Sequence, residues 1–168
     1  MCGIFGSVSI SEVDDKKVLS LAKHSKQRGF DSSGLAIYDG KTYKITRADY
    51  DITKLLAKYK WSASNVVMGH SRLITNGLYD NQPVVRDGMF VIHNGIIVNE
   101  DDIWSSINVK RLFQIDSEAI IGIAIKHLGD GGDFSQLPQQ ILSKCQGTIS
   151  AVLAIPRLGK IFLFSNNG

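Results

Sequence analysis

A layered α/β domain built on mainly antiparallel sheets is the fold class this sequence predicts, on three observations. Strand-forming segments cluster at both ends of the 168-residue chain, helical periodicity occupies the stretches between them, and several strand pairs are joined by turns too short for a parallel crossover. A chain of this length fits one ordinary domain, residues 1–168, and can bury a core without disulfide staples.

The first segment, Cys2 to Ile10, mixes small and β-forming residues and reads as a buried strand. Val18, Leu19, Leu21 and Ala22 then recur at helical spacing, which predicts a helix from about Asp14 to Gln27 that Gly29 ends. Gly34–Tyr38 and Thr42–Thr46 read as a hairpin around Asp39-Gly40, a dipeptide suited to positive φ. Asp51 to Tyr59 reads as a short helix, Val66 to Met68 opens a strand, and Thr75 to Asp87 reads as a polar loop leading to the strand Met89 to His93. Helices are expected at about Glu100–Ile107, Ser117–Leu128 and Phe134–Ser143, and strands at Gly147–Ile155 and Lys160–Phe164.

The formal net charge is +3 and the Lys and Arg residues are spread among acidic ones, so nothing asks for a nucleic-acid or membrane partner. Two cysteines, Cys2 and Cys145, form neither a metal-ligand spacing nor a disulfide framework, which points to a reducing compartment, by default the cytoplasm. The start MCGIFGSVSI lacks the charge and apolar-core pattern of a secretory signal, and no apolar run approaches membrane-spanning length.

Chemistry concentrates in five segments: MCGIFG at 1–6, QRGFDSSG at 27–34, GHSRLITNG at 69–77, HNGIIVNE at 93–100 and DSEAI at 116–120. Each is weak alone. Together and in this order they resemble the glutaminase domain of class II glutamine amidotransferases, members of the N-terminal-nucleophile hydrolase superfamily. RGFDSSG and HNGII lie closest to the branch that makes glucosamine 6-phosphate from fructose 6-phosphate. That branch typically has tryptophan after the arginine and histidine in the TNG-like segment, where this chain has Leu73 and Asn76. The resemblance covers nearly the whole chain and implies a four-layer αββα fold with two mainly antiparallel sheets between helical layers.

Independently of any relative, Cys2 has a mechanism available. A reference thiol has a pKa near ~8.5 and a protein α-amine near ~7.7, so once Met1 is removed a free amine on the same residue can take the thiol proton without a histidine. The bland alternative is a small buried hydrophobe. The resemblance implies that Arg72 pairs with the glutamine α-carboxylate and Asp116 receives its α-ammonium, and a guanidinium fork and a carboxylate suit those two ends. A surface or structural ion pair for Arg72, and for Asp116 the N-cap of a helix beginning at Ser117, are the alternatives. Asn94 through its amide and Gly95 through its N–H match an oxyanion hole; a plain Asn-Gly turn is the competing reading.

Thr75, Asn76 and Gly77 match the substrate-binding stretch after the arginine, and Arg28, Gly29 and Asp31 match the segment that supports the nucleophile, with a helix-terminal role as the alternative. His24 and His127 read as surface residues, His70 and His93 as local hydrogen-bonding residues, and Cys145 as a packed thiol. The resulting expectation is glutamine hydrolysis through a Cys2 thioester, with no metal or organic cofactor, and with ammonia passed to a synthase domain or subunit for which these 168 residues leave no room. Two other classes stay open: a catalytically silent glutamine-sensing or assembly domain, and another N-terminal-nucleophile amidase.

Overall fold

The computed structural model describes residues 2–59, 64–73 and 81–166. The chain divides into two compact units, Met1–Pro83 and Val84–Gly168. Each unit holds one four-stranded sheet, and every pairing in both sheets is antiparallel.

In the first unit the order along the chain is β1 (Gly3–Val8), α1 (Asp15–Lys26), β2 (Ser32–Tyr38), β3 (Tyr43–Ala48), α2 (Ile52–Leu56) and β4 (Val66–Arg72). The sheet order is β1-β4-β2-β3, so the first strand is an edge strand beside β4. Helix α1 starts where its cap dictates: the Asp14 carboxylate accepts from the Lys16 and Lys17 N–H groups at 2.9 and 3.2 Å. Asp51 caps α2 in the same way, and its carboxyl is held at about 2, below the usual carboxylate range, because hydrogen bonds from Thr53, Lys26 and Lys54 outweigh a desolvation that acts in the opposite direction. At five residues α2 is too short to persist alone; it stands because Ile52, Leu55 and Leu56 are buried with Val18, Ala22, Leu35, Ile37 and Val67. Those partners fix both helices on the face of the sheet that carries Leu35, Ile37 and Val67.

In the second unit the order is β5 (Val84–Arg86), β6 (Met89–Ile97), α3 (Glu100–Ile107), α4 (Glu118–Gly129), α5 (Leu137–Lys144), β7 (Gly147–Ile155) and β8 (Lys160–Ser165), with the strands in sequential order across the sheet. Met89, Val91, Ile149, Ala151, Leu153 and Ile155 point to the side covered by α3, α4 and α5, where they pack with Ile103, Ile107, Ile120, Ile123, Leu137 and Ile141. Alternation sends Phe90, Ile92, Val152 and Ala154 to the opposite face, where they are also buried.

Several expectations need correction. Val84–Arg86 lies in what reads as a polar loop, yet it pairs with β6 as a hairpin, because Asp87 and Gly88 adopt φ of 48° and 72° and turn the chain tightly. The strand expected at Met89–His93 continues to Ile97, so the competing reading of Asn94-Gly95 as a plain turn does not hold: both residues lie inside β6, opposite Ser150 and Ile149 of β7. The strand expected to open at Val66–Met68 is borne out as β4, which runs on to Arg72. The segment expected as one helix from Phe134 begins as a 3-10 turn at Phe134–Gln136 before α5, with a proline in the first turn of α5. Gly29 does not end α1 in a left-handed cap; Gln27 closes the helix in the right-handed region, and the glycine serves a close approach instead.

Candidate active site

The candidate residues of the first unit gather at one end of its sheet. Gly3 pairs with Ser71 and Ser32 with Arg72, so Cys2, one residue before β1, lies at the same end of the sheet as Arg72. Ser71 Oγ meets Ser25 Oγ of α1 at 3.0 Å in a buried contact, and a Cβ on Gly3 would stand 2.6 Å from the same Ser25 Oγ. Positions 3 and 71 therefore face α1, and alternation turns Arg72, and Cys2 with it, to the face away from the helices.

The turn after α1 ties these two together. Arg28 Nε donates to the Cys2 carbonyl at 3.4 Å, and the Asp31 N–H donates to the Arg72 carbonyl at 3.0 Å. Gly29 is pressed against the same strand end: a Cβ there would fall 2.4 Å from the Arg72 carbonyl carbon and 2.5 Å from the Leu73 nitrogen, distances that real side chains do not reach. Arg28, Gly29 and Asp31 each thus touch the backbone of Cys2 or of Arg72. Cys2 is a half-buried free thiol. Cys145, by contrast, is buried in the core of the second unit, and burial pushes its thiol up to about 12, with the Asp116 carboxylate adding to the shift.

In the second unit Asn94 lies on the β6 face away from the helices, half-buried, and Gly95 is exposed with φ of 154°. A Cβ at position 95 would overlap the Thr148 carbonyl oxygen at 1.8 Å, so only glycine lets the strand pass here. Asp116 is not an N-cap: Ser117 begins the turn into α4 without a capping bond, and the Asp116 carboxylate instead accepts from the Ile97 N–H at 2.9 Å, at the end of the strand that carries Asn94 and Gly95. Asn94, Gly95 and Asp116 thus belong to one local assembly in this unit.

The segment that delivers Asp116 is anchored by Glu118, which sequence reasoning did not single out. Its fully buried carboxylate accepts from the Leu112 N–H at 3.1 Å and the Phe113 N–H at 2.8 Å, and pairs with Arg86 Nη1 of β5 at 2.7 Å. An acidic residue directly before the apolar run Ala119, Ile120, Ile121 was the available signal. The local hydrogen bonding expected of His93 takes the form of a buried contact with Ser117, while the Ser25–Ser71 contact was missed, since it depends on which strand face a residue occupies.

Thr75, Asn76 and Gly77 lie outside the described residues. Among the described residues no three His, Cys, Asp or Glu side chains gather as a metal site, and no helix is long and apolar enough to cross a membrane. His24 is exposed, and His127 contacts the Asp133 carbonyl through Nε2 at 2.8 Å.

Comparison with known proteins gives consistent relatives. No family model matches the chain. It is 25% identical over 176 aligned positions to a glutamine--fructose-6-phosphate aminotransferase (isomerizing) of Rhizobium meliloti, covering 100% of this chain and 29% of that protein. It is 33% identical over 139 positions to the protein of the same name from Sulfolobus acidocaldarius, covering 76% of this chain and 23% of that protein. Among solved structures it resembles the glutamine phosphoribosylpyrophosphate amidotransferase of B. subtilis, complexed with ADP and GMP, with a TM-score of 0.68 and 25% identity over 92% of this chain and 35% of that one. The chain therefore spans under a third of the length of these curated relatives.

Proposed function

We propose, for a chain that belongs to the class II glutamine amidotransferases and carries their glutaminase domain, that it hydrolyses L-glutamine to L-glutamate and ammonia through a thioester on Cys2. The observation that carries this reading is the 25–31 segment, which binds the backbone of Cys2 through Arg28 and the backbone of Arg72 through Gly29 and Asp31. A nucleophile and a carboxylate-reading arginine are thereby held to a common scaffold, which positioned catalysis requires.

With Met1 removed, the Cys2 amine takes the thiol proton and the sulfur attacks the side-chain amide carbon of glutamine. The Asn94 amide and the Gly95 N–H receive the charge that develops on the amide oxygen. Collapse of the tetrahedral intermediate breaks the carbon–nitrogen bond; the amine returns its proton to the leaving nitrogen, ammonia departs, and a thioester remains. Water, deprotonated by the same amine, attacks the thioester and releases glutamate and the thiol. Arg72 reads the α-carboxylate and Asp116 the α-ammonium, with Thr75, Asn76 and Gly77 completing the carboxylate end. No step calls on a metal or an organic cofactor.

Residues 1–168 then form a glutaminase domain whose ammonia passes to a synthase domain or subunit acting on an acceptor such as a sugar phosphate, in keeping with the aminotransferase relatives. Free Cys2 and Cys145 support a reducing, cytoplasmic setting. A panel of glutamine, asparagine and glutamine blocked at either α-group tests the reading. Ammonia release from glutamine alone supports it; binding of glutamine without turnover favours a sensor, and turnover of blocked substrates favours a different amidase.

A further inference from the structure

Two residues that the proposed mechanism leaves unused stand between two that it needs. His93 immediately precedes the oxyanion pair on β6 and is buried on the helix side of the sheet. Its Nδ1 lies 3.1 Å from Ser117 Oγ, and Ser117 Oγ donates to Asp116 Oδ1 at 3.3 Å. The other Asp116 oxygen accepts the Ile97 N–H at 2.9 Å, which closes a ring of contacts back onto the strand that began at His93. Gly95 sits directly over the imidazole: a Cβ at that position would come within 2.7 Å of His93 Nε2.

A hydroxyl has one proton to give. When Ser117 gives it to Asp116, its contact with His93 requires a proton on Nδ1. Burial lowers the imidazole's affinity for a second proton against the opposing pulls of Asp116 and the Thr148 carbonyl. The 3.1 Å contact with Ser117 Oγ is shorter than the 3.4 Å separation of Nε2 from the Thr148 carbonyl and selects the tautomer with the proton on Nδ1, in which Nε2 makes no hydrogen bond to that carbonyl. Asp116 uses one acceptor site on each oxygen in this ring and keeps capacity for an incoming ammonium.

We propose that His93 and Ser117 are positioning residues which, through the chain His93 Nδ1–H to Ser117 Oγ–H to Asp116 Oδ1, hold the Asp116 carboxylate on the oxyanion strand and so set selectivity for the α-ammonium of glutamine. The proposal rests on the glutaminase reading. It assigns the ring a role in recognising one end of the substrate and none in the chemical step. Variants that break the chain therefore weaken ligands that carry the ammonium and spare those that lack it.

The test compares S117A, H93Q and H93N with the wild type in the processed protein, measuring kcat and KM for glutamine and the inhibition constant of glutarate, which has the carboxylate but no ammonium. Asparagine presents an amide N–H near the Nδ1 position and glutamine near Nε2. We expect S117A and H93Q to raise the glutamine KM at least about 10-fold, with kcat within about 3-fold and glutarate inhibition unchanged, while H93N stays near the wild type. Equal weakening of glutarate, an unmoved KM in S117A, full activity in H93Q with loss in H93N, or failure of both chain-breaking variants to fold overturns the assignment. A wild type that does not turn over glutamine overturns the glutaminase reading itself, and is distinguished from these outcomes by that single control.

Discussion

Gly29 lies so close to Arg72 that a Cβ at position 29 would stand 2.4 Å from the Arg72 carbonyl carbon. The neighbour is backbone, which cannot rotate aside, so a methyl here must push the end of β4 or the turn after α1. Overpacking of this kind costs about 1–3 kcal/mol. We expect Gly29→Ala to lower the unfolding free energy by that amount and to raise the glutamine KM, measured by denaturant titration and by ammonia release; wild-type values in both would mean that the approach is looser than described.

Arg72 is assigned the α-carboxylate of glutamine. Removal of one charge-assisted, two-pronged interaction corresponds to a loss of roughly 10-fold to 1000-fold in affinity. Arg72→Ala is expected to raise the glutamine requirement in that range while the protein stays folded. Unchanged saturation behaviour would return Arg72 to a structural role.

Asn94 tests the opposite signature. Its amide is proposed to meet charge that exists only as the thiolate attacks, so Asn94→Ala should lower kcat by about 100-fold to 1000-fold and affect KM less. A change confined to KM would contradict the oxyanion assignment. The test has a structural advantage, because Asn94 is half-buried and lies on the face of β6 away from α3, α4 and α5, so its truncation leaves the packed helix side intact.

Cys2, Arg72, Asn94 and Asp116 stand out as candidates in the sequence because each is a polar or reactive residue within one of five short segments. The structure places Cys2 at the Arg72 end of one sheet and the Asp116 carboxylate at the end of the strand that carries Asn94. The sheets were legible from hydrophobic alternation and from Asp39-Gly40, while Val84–Arg86 was not, since three residues carry too little periodicity to separate a strand from a loop. Asn94-Gly95 misleads for a related reason: the dipeptide favours a turn locally, and only pairing with Ser150 and Ile149 of a strand more than fifty residues away keeps it extended. The bond from Ile97 N–H to Asp116 depends on tertiary register across 19 residues and leaves no trace in local spacing.

Glu118 allows a stability test separate from catalysis. Its carboxylate is fully buried, and Arg86 and two backbone N–H groups rely on it. Removing one member of a buried ion pair costs about 3–5 kcal/mol when the other charge is left uncompensated. Arg86 keeps Asp87 at 3.1 Å, while the Leu112 and Phe113 N–H groups lose their acceptor, which places the loss toward the lower end of that range. We expect Glu118→Ala to destabilise the protein by that order in chemical denaturation. A loss below about 1 kcal/mol, the range of exposed pairs, would show that water reaches Arg86 freely.

The central claim is that the α-amine of Cys2 is the catalytic base. While Met1 is attached, that nitrogen belongs to a planar amide whose lone pair is delocalised, so it cannot accept the thiol proton. Preparations with Met1 retained and with Cys2 at the terminus, each assigned by intact mass, should be compared for steady ammonia release at saturating glutamine near neutral pH. The processed form is expected to turn over at least about 100-fold faster, the usual worth of a positioned general base; equal turnover of the two verified forms would contradict the α-amine mechanism, even if alkylation of Cys2 abolished activity in both.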